Sequence, residues 1–281
     1  MKIIFSPKCL EYEQSGHPES PERVRKTYEF LKSRGFEFVE PEPAEEEDIL
    51  LVHTKEHVEK IKKRQFFDMD TPNLENIYEY ARLSVGAAIK AMEMCLSEKT
   101  FSLMRPPGHH ASQNNLEGFC YFNNIAVAVK KALKNNLAKR VAIIDIDVHH
   151  GNGTQAIFLG DQNVLYVSLH QFGIYPGTGL KSEKNCINYP LAPETNERDY
   201  LMVFQEAIEK IKSFSPNMVA VSAGFDTYRK DPLANINLDI ETYRRIGSII
   251  SDLKLPVFSV LEGGYSEKLP ECIYQYLIGL G

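Results

Sequence analysis

Apolar residues along this chain gather into short runs, separated by longer stretches in which they recur at three- and four-residue spacings. The runs Lys2 to Phe5, Thr100 to Met104, Val141 to Ile146, Val164 to Leu169, Met218 to Ser222 and Pro256 to Leu261 have strand character. Helical spacing marks Lys55 to Arg64, Leu74 to Leu96, Ile125 to Leu137, Tyr200 to Phe214 and Ile240 to Leu253. The acidic run Glu45 to Asp48 is expected to start a short helix through Leu51, because negative charge complements the unpaired N–H groups of a helix start. Strands and helices alternate, which favours a parallel sheet.

No long Gly/Ser or Pro-rich linker divides the chain and no repeat of fixed period appears, so residues 1–281 are expected to form a single α/β domain. The non-periodic stretches richest in Gly, His, Asn and Pro are Arg105 to Asn124, His149 to Thr154, Gln171 to Leu180, Gly224 to Asn237 and Glu262 to Ser266. Each follows a predicted strand. Ligands of open parallel α/β sheets bind outside the carboxyl ends of the strands, so these loops are expected to converge on one site.

Composition narrows the class of function. Hydrophobic residues at 43% and charged residues at 25% are ordinary for a globular protein and give no sign of disorder. A formal charge of -6 supplies no basic field for phosphate backbones, which argues against direct nucleic-acid binding and leaves cationic partners open. The five cysteines are widely spaced without a CxxC pair, which argues against a disulfide framework or cysteine-zinc site and fits a reducing cytoplasm. No apolar stretch is long enough for a signal h-region at the start or for a membrane span, so neither export nor membrane insertion is expected.

Chemistry enters at the strand ends. The run Ala142-Ile-Ile-Asp-Ile-Asp-Val-His places Asp145, Asp147 and His149 at alternate positions, so all three are expected to face one way. A second run, Met218 to Phe225, delivers Asp226. Two carboxylates and an imidazole suit zinc or another divalent metal with a coordination position left open, and acids closing an apolar strand are costly to bury without a cation. Arg105-Pro-Pro-Gly-His-His puts His109 and His110 just after another strand, where histidine suits acid-base work near neutral pH. Glu262-Gly-Gly-Tyr265 follows a further strand, its paired glycines allowing close approach of backbone to ligand.

Taken together and in order, RPPGHHA, GFCYFNN, DIDVHHGNGT, VSLH, YPGTG, SAGFD and EGGY resemble the zinc-dependent histone deacetylase family and its bacterial and archaeal relatives, from about His17 to Tyr265. The resemblance implies the arginase/deacetylase fold, a central, mainly parallel sheet flanked by helices, and hydrolysis of an acetyl-amide. It implies one zinc per chain on Asp147, His149 and Asp226. His109 and His110 correspond to the tandem histidines, Asp145 to the partner of His109, and Tyr265 to the tyrosine that hydrogen-bonds the substrate carbonyl. Phe119 and Tyr175 correspond to the aromatic walls of an acyl-lysine tunnel, with Gly118 and Gly264 beside it. Leu233 matches an apolar rim residue where polyamine-selective relatives can carry an acid, and Asp70 a rim acid that holds substrate backbone. Asp145, Ser168 and carbonyls near Asp147, His149 and Leu169 correspond to a monovalent-cation site, usually potassium.

Two positions depart from the common pattern. Asn152 stands where some relatives carry an aspartate behind the second histidine, and Tyr175 replaces the more usual phenylalanine. The chain is also short for the family, so long surface loops that choose protein substrates are expected to be missing. Two rivals stay open: a manganese ureohydrolase, which needs more ligands than these motifs supply, and a catalytically silent module that binds acetylated ligands, for which His109, His110 and Tyr265 would be superfluous. The sequence does not choose among an acetyl-lysine peptide or protein, an acetylpolyamine and another small acetylated amine, nor between zinc and iron, nor an oligomeric state.

Overall fold

The six apolar runs become six strands of one sheet. In the computed structural model, which describes residues 1–281, the chain opens with β1 (Lys2–Ile4), a 3-10 turn (Pro7–Leu10), α1 (Pro21–Ser33), β2 (Glu37–Val39), α2 (Glu46–Ile49), α3 (Lys55–Lys62), α4 (Ile77–Met94) and β3 (Thr100–Ser102). There follow α5 (Asn124–Lys134), β4 (Val141–Asp145), α6 (Asn152–Phe158), β5 (Val164–Gln171), β6 (Cys186–Leu191), α7 (Glu197–Phe214), β7 (Met218–Ala223), α8 (Ile240–Ser251), β8 (Val257–Leu261) and α9 (Leu269–Leu280). The sheet has eight strands in the order β2-β1-β3-β8-β7-β4-β5-β6. Every pairing is parallel, so all carboxyl ends lie at one edge.

Central strands β4, β5, β7 and β8 are buried at every residue, which is why they read as continuous apolar runs without alternation. The edge strands differ. In β2 no residue is fully buried, and β6 contains Pro190, which edge pairing tolerates because a ladder hydrogen bond is not required there.

Helices flank the sheet, with α4 and α5 packed together across β1, β3, β8 and β7, while α1, α8 and α9 form a second group. The α8–α9 contact depends on two glycines: a Cβ at Gly247 would lie 2.3 Å from the Tyr276 carbonyl oxygen, and one at Gly279 would lie 1.9 Å from that of Arg244. No helix is long and apolar enough to cross a membrane.

Candidate active site and metal centre

At the carboxyl edge of the sheet a cavity of about 360 Å³ is lined from each of the loops expected to converge there. His109, His110 and Phe119 come from the loop after β3, His149 from the one after β4, Tyr175 from the one after β5, and Tyr265 from the one after β8. Leu233 comes from the loop after β7, and Asp70, exposed, lines the mouth together with His17. His17 Nε2 donates to the Asp70 carbonyl at 3.1 Å, and its ring meets Phe119 edge-on at 4.6 Å.

The floor is the acidic cluster. Strand β4 ends at Asp145, earlier than uninterrupted alternation predicts, because the Asp147 N–H turns back to Asp145 Oδ1 at 3.2 Å. The two acids therefore diverge in role. Asp145 Oδ2 accepts from His109 Nδ1 at 3.1 Å and from the Tyr166 hydroxyl at 2.9 Å. Asp147 instead joins His149 and Asp226, whose candidate ligand atoms all lie within 4.8 Å of one another.

Within that cluster His149 Nδ1 donates to Asp147 Oδ1 at 3.0 Å and stands 3.2 Å from Asp226 Oδ2, without hydrogen-bond geometry toward the latter. Asp226 Oδ2 is buried and has no hydrogen-bond partner, while its other oxygen accepts from the Val148 N–H at 2.8 Å. A buried carboxylate oxygen aimed at an imidazole nitrogen and a second carboxylate is a donor set that could hold a divalent cation, which would take the place of the proton on His149. Burial and the neighbouring Asp147 charge push the Asp226 carboxyl above its ordinary range. Burial would lower His149, but Asp147 and Asp226 outweigh it and raise the ring to about 10.

The tandem histidines titrate in opposite directions. Burial opposes charge on His109, yet Asp147, Asp145 and Glu262 prevail and lift it to about 10. His110 is held well below its ordinary value by burial and then by the charges of His109 and His149. Its Nδ1 donates to Asn152 Oδ1 at 2.8 Å, so Nε2 is the nitrogen left to accept a proton.

A tight turn sets the cavity wall. Glu117 and Cys120 exchange backbone hydrogen bonds of 3.2 and 3.0 Å across Gly118 and Phe119, both in the left-handed region at φ +57° and 71°. For phenylalanine that conformation is strained, and it aims the ring across the cavity toward Tyr265, 6.0 Å away edge-on. At Gly118 a Cβ would fall 2.5 Å from the His110 ring.

Several expected residues lie behind the cavity surface. Gly264 presents its carbonyl to Arg23 Nε at 2.7 Å, and it is Gly263 that lines the cavity. Ser168 lies opposite Asp145 in the β4–β5 register, with Leu169 buried beside it, and its hydroxyl pairs with His170 Nδ1 at 2.8 Å.

Other groups are given no role from the sequence. The buried Arg23 guanidinium donates to the Glu262 carbonyl at 2.7 Å as well as to Gly264, and lies over the Tyr265 ring at 4.6 Å. Glu262 Oε2 accepts from the backbone N–H groups of Gly108 and His109 at 2.7 and 3.1 Å, tying the EGGY loop to the tandem-histidine loop, and burial lifts its carboxyl to about 7. Asp231 receives the N–H groups of Leu233 and Tyr265 at 3.0 and 2.6 Å, joining rim to tyrosine.

Residues 17–279 match the histone deacetylase domain family. The chain is similar to a probable deacetylase of Archaeoglobus fulgidus, 40% identical over 94% of this chain and 81% of that protein. It is also similar to a histone deacetylase-like amidohydrolase of Pseudomonas aeruginosa, 36% identical over 92% of this chain and 75% of that one. Among solved structures, the HD domain of HDA15 superposes with a TM-score of 0.94 at 33% identity, covering 100% of this chain and 91% of its own. An acetylpolyamine aminohydrolase from Burkholderia pseudomallei superposes with a TM-score of 0.92 at 26% identity, covering 100% and 98%. Sheet, cavity-bearing loops and family match thus coincide over nearly the whole chain, which belongs to the histone deacetylase family and is an enzyme acting on acetyl-amides.

Proposed function

We propose that the chain hydrolyses the acetyl-amide of an acetyl-lysine side chain, using one zinc ion held by Asp147, His149 and Asp226. The observation that carries this reading is the unpartnered, buried Asp226 Oδ2 facing His149 and Asp147 at the floor of a cavity whose walls bear His110 and Tyr265. When bound, zinc would lower the pKa of water to about 7 and polarise the acetyl carbonyl.

The chain's own groups supply the rest. Phe119 and Tyr175 flank the substrate's methylene stem, and the exposed Asp70 meets its backbone at the mouth. His110, neutral and with Nδ1–H committed to Asn152, takes the proton of the attacking water at Nε2 and passes it to the departing amine nitrogen. The Tyr265 hydroxyl donates to the developing oxyanion, a contribution worth about 3 to 4 kcal/mol for a donor of this kind. His109, charged and held by Asp145, stabilises negative charge nearby. A potassium ion is proposed at Asp145, Ser168 and the carbonyls of Asp147, His149 and Leu169, where β4 and β5 place the first two side by side. Five free, buried cysteines fit a reducing compartment such as the cytoplasm.

The likeness to an acetylpolyamine aminohydrolase favours a second reading, a small acetylated polyamine. Against it, Leu233 gives the rim an apolar residue with no charge to offer a second ammonium group. The deciding experiment measures kcat/KM on metal-analysed protein for acetyl-lysine peptides, acetylspermidine and acetylputrescine, alongside Asp226→Ala. One zinc per chain, lost in the variant, with peptides hydrolysed best, is the expected result. Preference for the acetylpolyamines selects the second reading. A fully metallated protein that cleaves none of them is a binding module, and two manganese equivalents in active protein would mean ureohydrolase chemistry.

A further inference from the structure

Asn152, the first residue of α6, uses both halves of its side-chain amide. Its Oδ1 accepts from His110 Nδ1, and its Nδ2 donates to Glu117 Oε1. Glu117 reaches this position because it opens the Gly118–Phe119 turn, whose paired backbone hydrogen bonds to Cys120 fix it against the His110 ring. None of the motifs contains a reason for an acid here, and Glu117 does not line the cavity.

We infer that Glu117 is a positioning residue that sets the tautomer of His110 through Asn152. A carboxylate accepts hydrogen bonds and has none to give, so the Asn152 amide must turn its NH2 toward residue 117 and its oxygen toward His110. The oxygen then requires a proton on Nδ1, which leaves Nε2 as the basic nitrogen. An amide alone gives no such order: turned over, Asn152 would present NH2 to His110, move the ring proton to Nε2 and remove the base. Glu117 thus forbids the turned-over state. It also places negative charge one hydrogen-bonded step behind the histidine, where a direct carboxylate is absent.

This inference rests on His110 being the base, and the test separates the two. In zinc-loaded protein, 15N spectra of the imidazole of His110 are expected to show a single Nδ1–H tautomer. Glu117→Gln, whose amide can donate or accept, is expected to give a mixture of tautomers and a kcat lower by about tenfold with little change in KM. Glu117→Asp, keeping a carboxylate, is expected to recover the Nδ1–H signal. Glu117→Gln with wild-type kcat and an unmixed signal overturns the inference. So does a fall in kcat with the tautomer unmoved, which would assign the loss to the turn itself. If His110→Ala retains kcat while Glu117→Gln still mixes the tautomers, the role given to His110 fails and the Glu117 relay stands.

Discussion

The backbone N–H of Gly263 donates to Asp147 Oδ2 at 2.7 Å, and a Cβ added to that glycine would stand 2.2 Å from Asp226 Oδ2. Gly263 therefore crowds both carboxylates of the proposed metal site at once, and alanine there must push one of them aside. Gly263→Ala is expected to weaken zinc affinity by about 10- to 100-fold while leaving the far-ultraviolet circular dichroism unchanged. Competition with a metallochromic chelator measures the affinity, and an unaltered zinc Kd would show that the cluster relaxes freely.

The Tyr265 ring is held between Arg23 above and Phe119 at its edge, and its N–H is fixed by Asp231. Removing only the hydroxyl leaves all three contacts intact. Tyr265→Phe is expected to lower kcat by about 10²- to 10³-fold with KM nearly unchanged, because the oxyanion exists only at the transition state. A variant with the wild-type kcat takes Tyr265 out of the chemistry.

Asn152→Asp puts a carboxylate against His110, which raises the histidine pKa and should move the acidic limb of the kcat/KM profile to higher pH. The new acid also faces Glu117, and two adjacent carboxylates share a proton, which weakens the effect. Asn152→Asp combined with Glu117→Gln should therefore shift the limb further than Asn152→Asp alone. Paired pH–rate series at constant ionic strength, with zinc assayed at each pH, test this. Equal shifts in the single and double variants would mean that residue 117 does not sense residue 152.

Behind the Phe119 turn, two buried histidines clamp the strap into α5: His53 Nε2 accepts from the Asn123 N–H and His57 Nε2 donates to the Tyr121 carbonyl, both at 2.9 Å. Burial, then the nearby His57, pushes His53 down to about 3. A histidine neutral in the fold and titrating near 6.5 when unfolded costs nothing above that pH, and stability is lost as pH falls from 6.5 toward 3. At pH 5 the loss from His53 is about 2 kcal/mol. Urea unfolding at pH 7.5 and 5 should show a smaller acid loss in His53→Gln than in wild type, and equal losses would exclude His53 as the cause.

The central strands were legible because residues buried on both faces must be apolar, whatever their partners. Strand β2 was not, being three residues at a half-exposed edge. Helix α1 escaped because its inward face mixes Val24 and Leu31 with Arg23 and Thr27, so no apolar period forms. In α9, Pro270 and Gly279 read as breakers, although one sits in the first turn and the other makes room for α8. At the site, Asp147, His149 and Asp226 could be found because each lies within a local motif, two to four residues beyond the end of a buried strand. Glu262, Glu117 and Arg23 could not: their roles come from partners 154, 35 and 241 residues away, a distance over which sequence pattern carries no record.

Arg23 gives that separation a temporal meaning. Its guanidinium belongs to the first helix, yet the Glu262 and Gly264 carbonyls it needs emerge from synthesis some 240 residues later. Glu19 is available from the beginning and accepts from both Arg23 and Arg105, so this acid can hold the two cations together while the sheet is still growing. Strand β8, the last in the chain, sits between β3 and β7 and carries the tyrosine loop, so that loop has its native support only once the two halves of the sheet are joined.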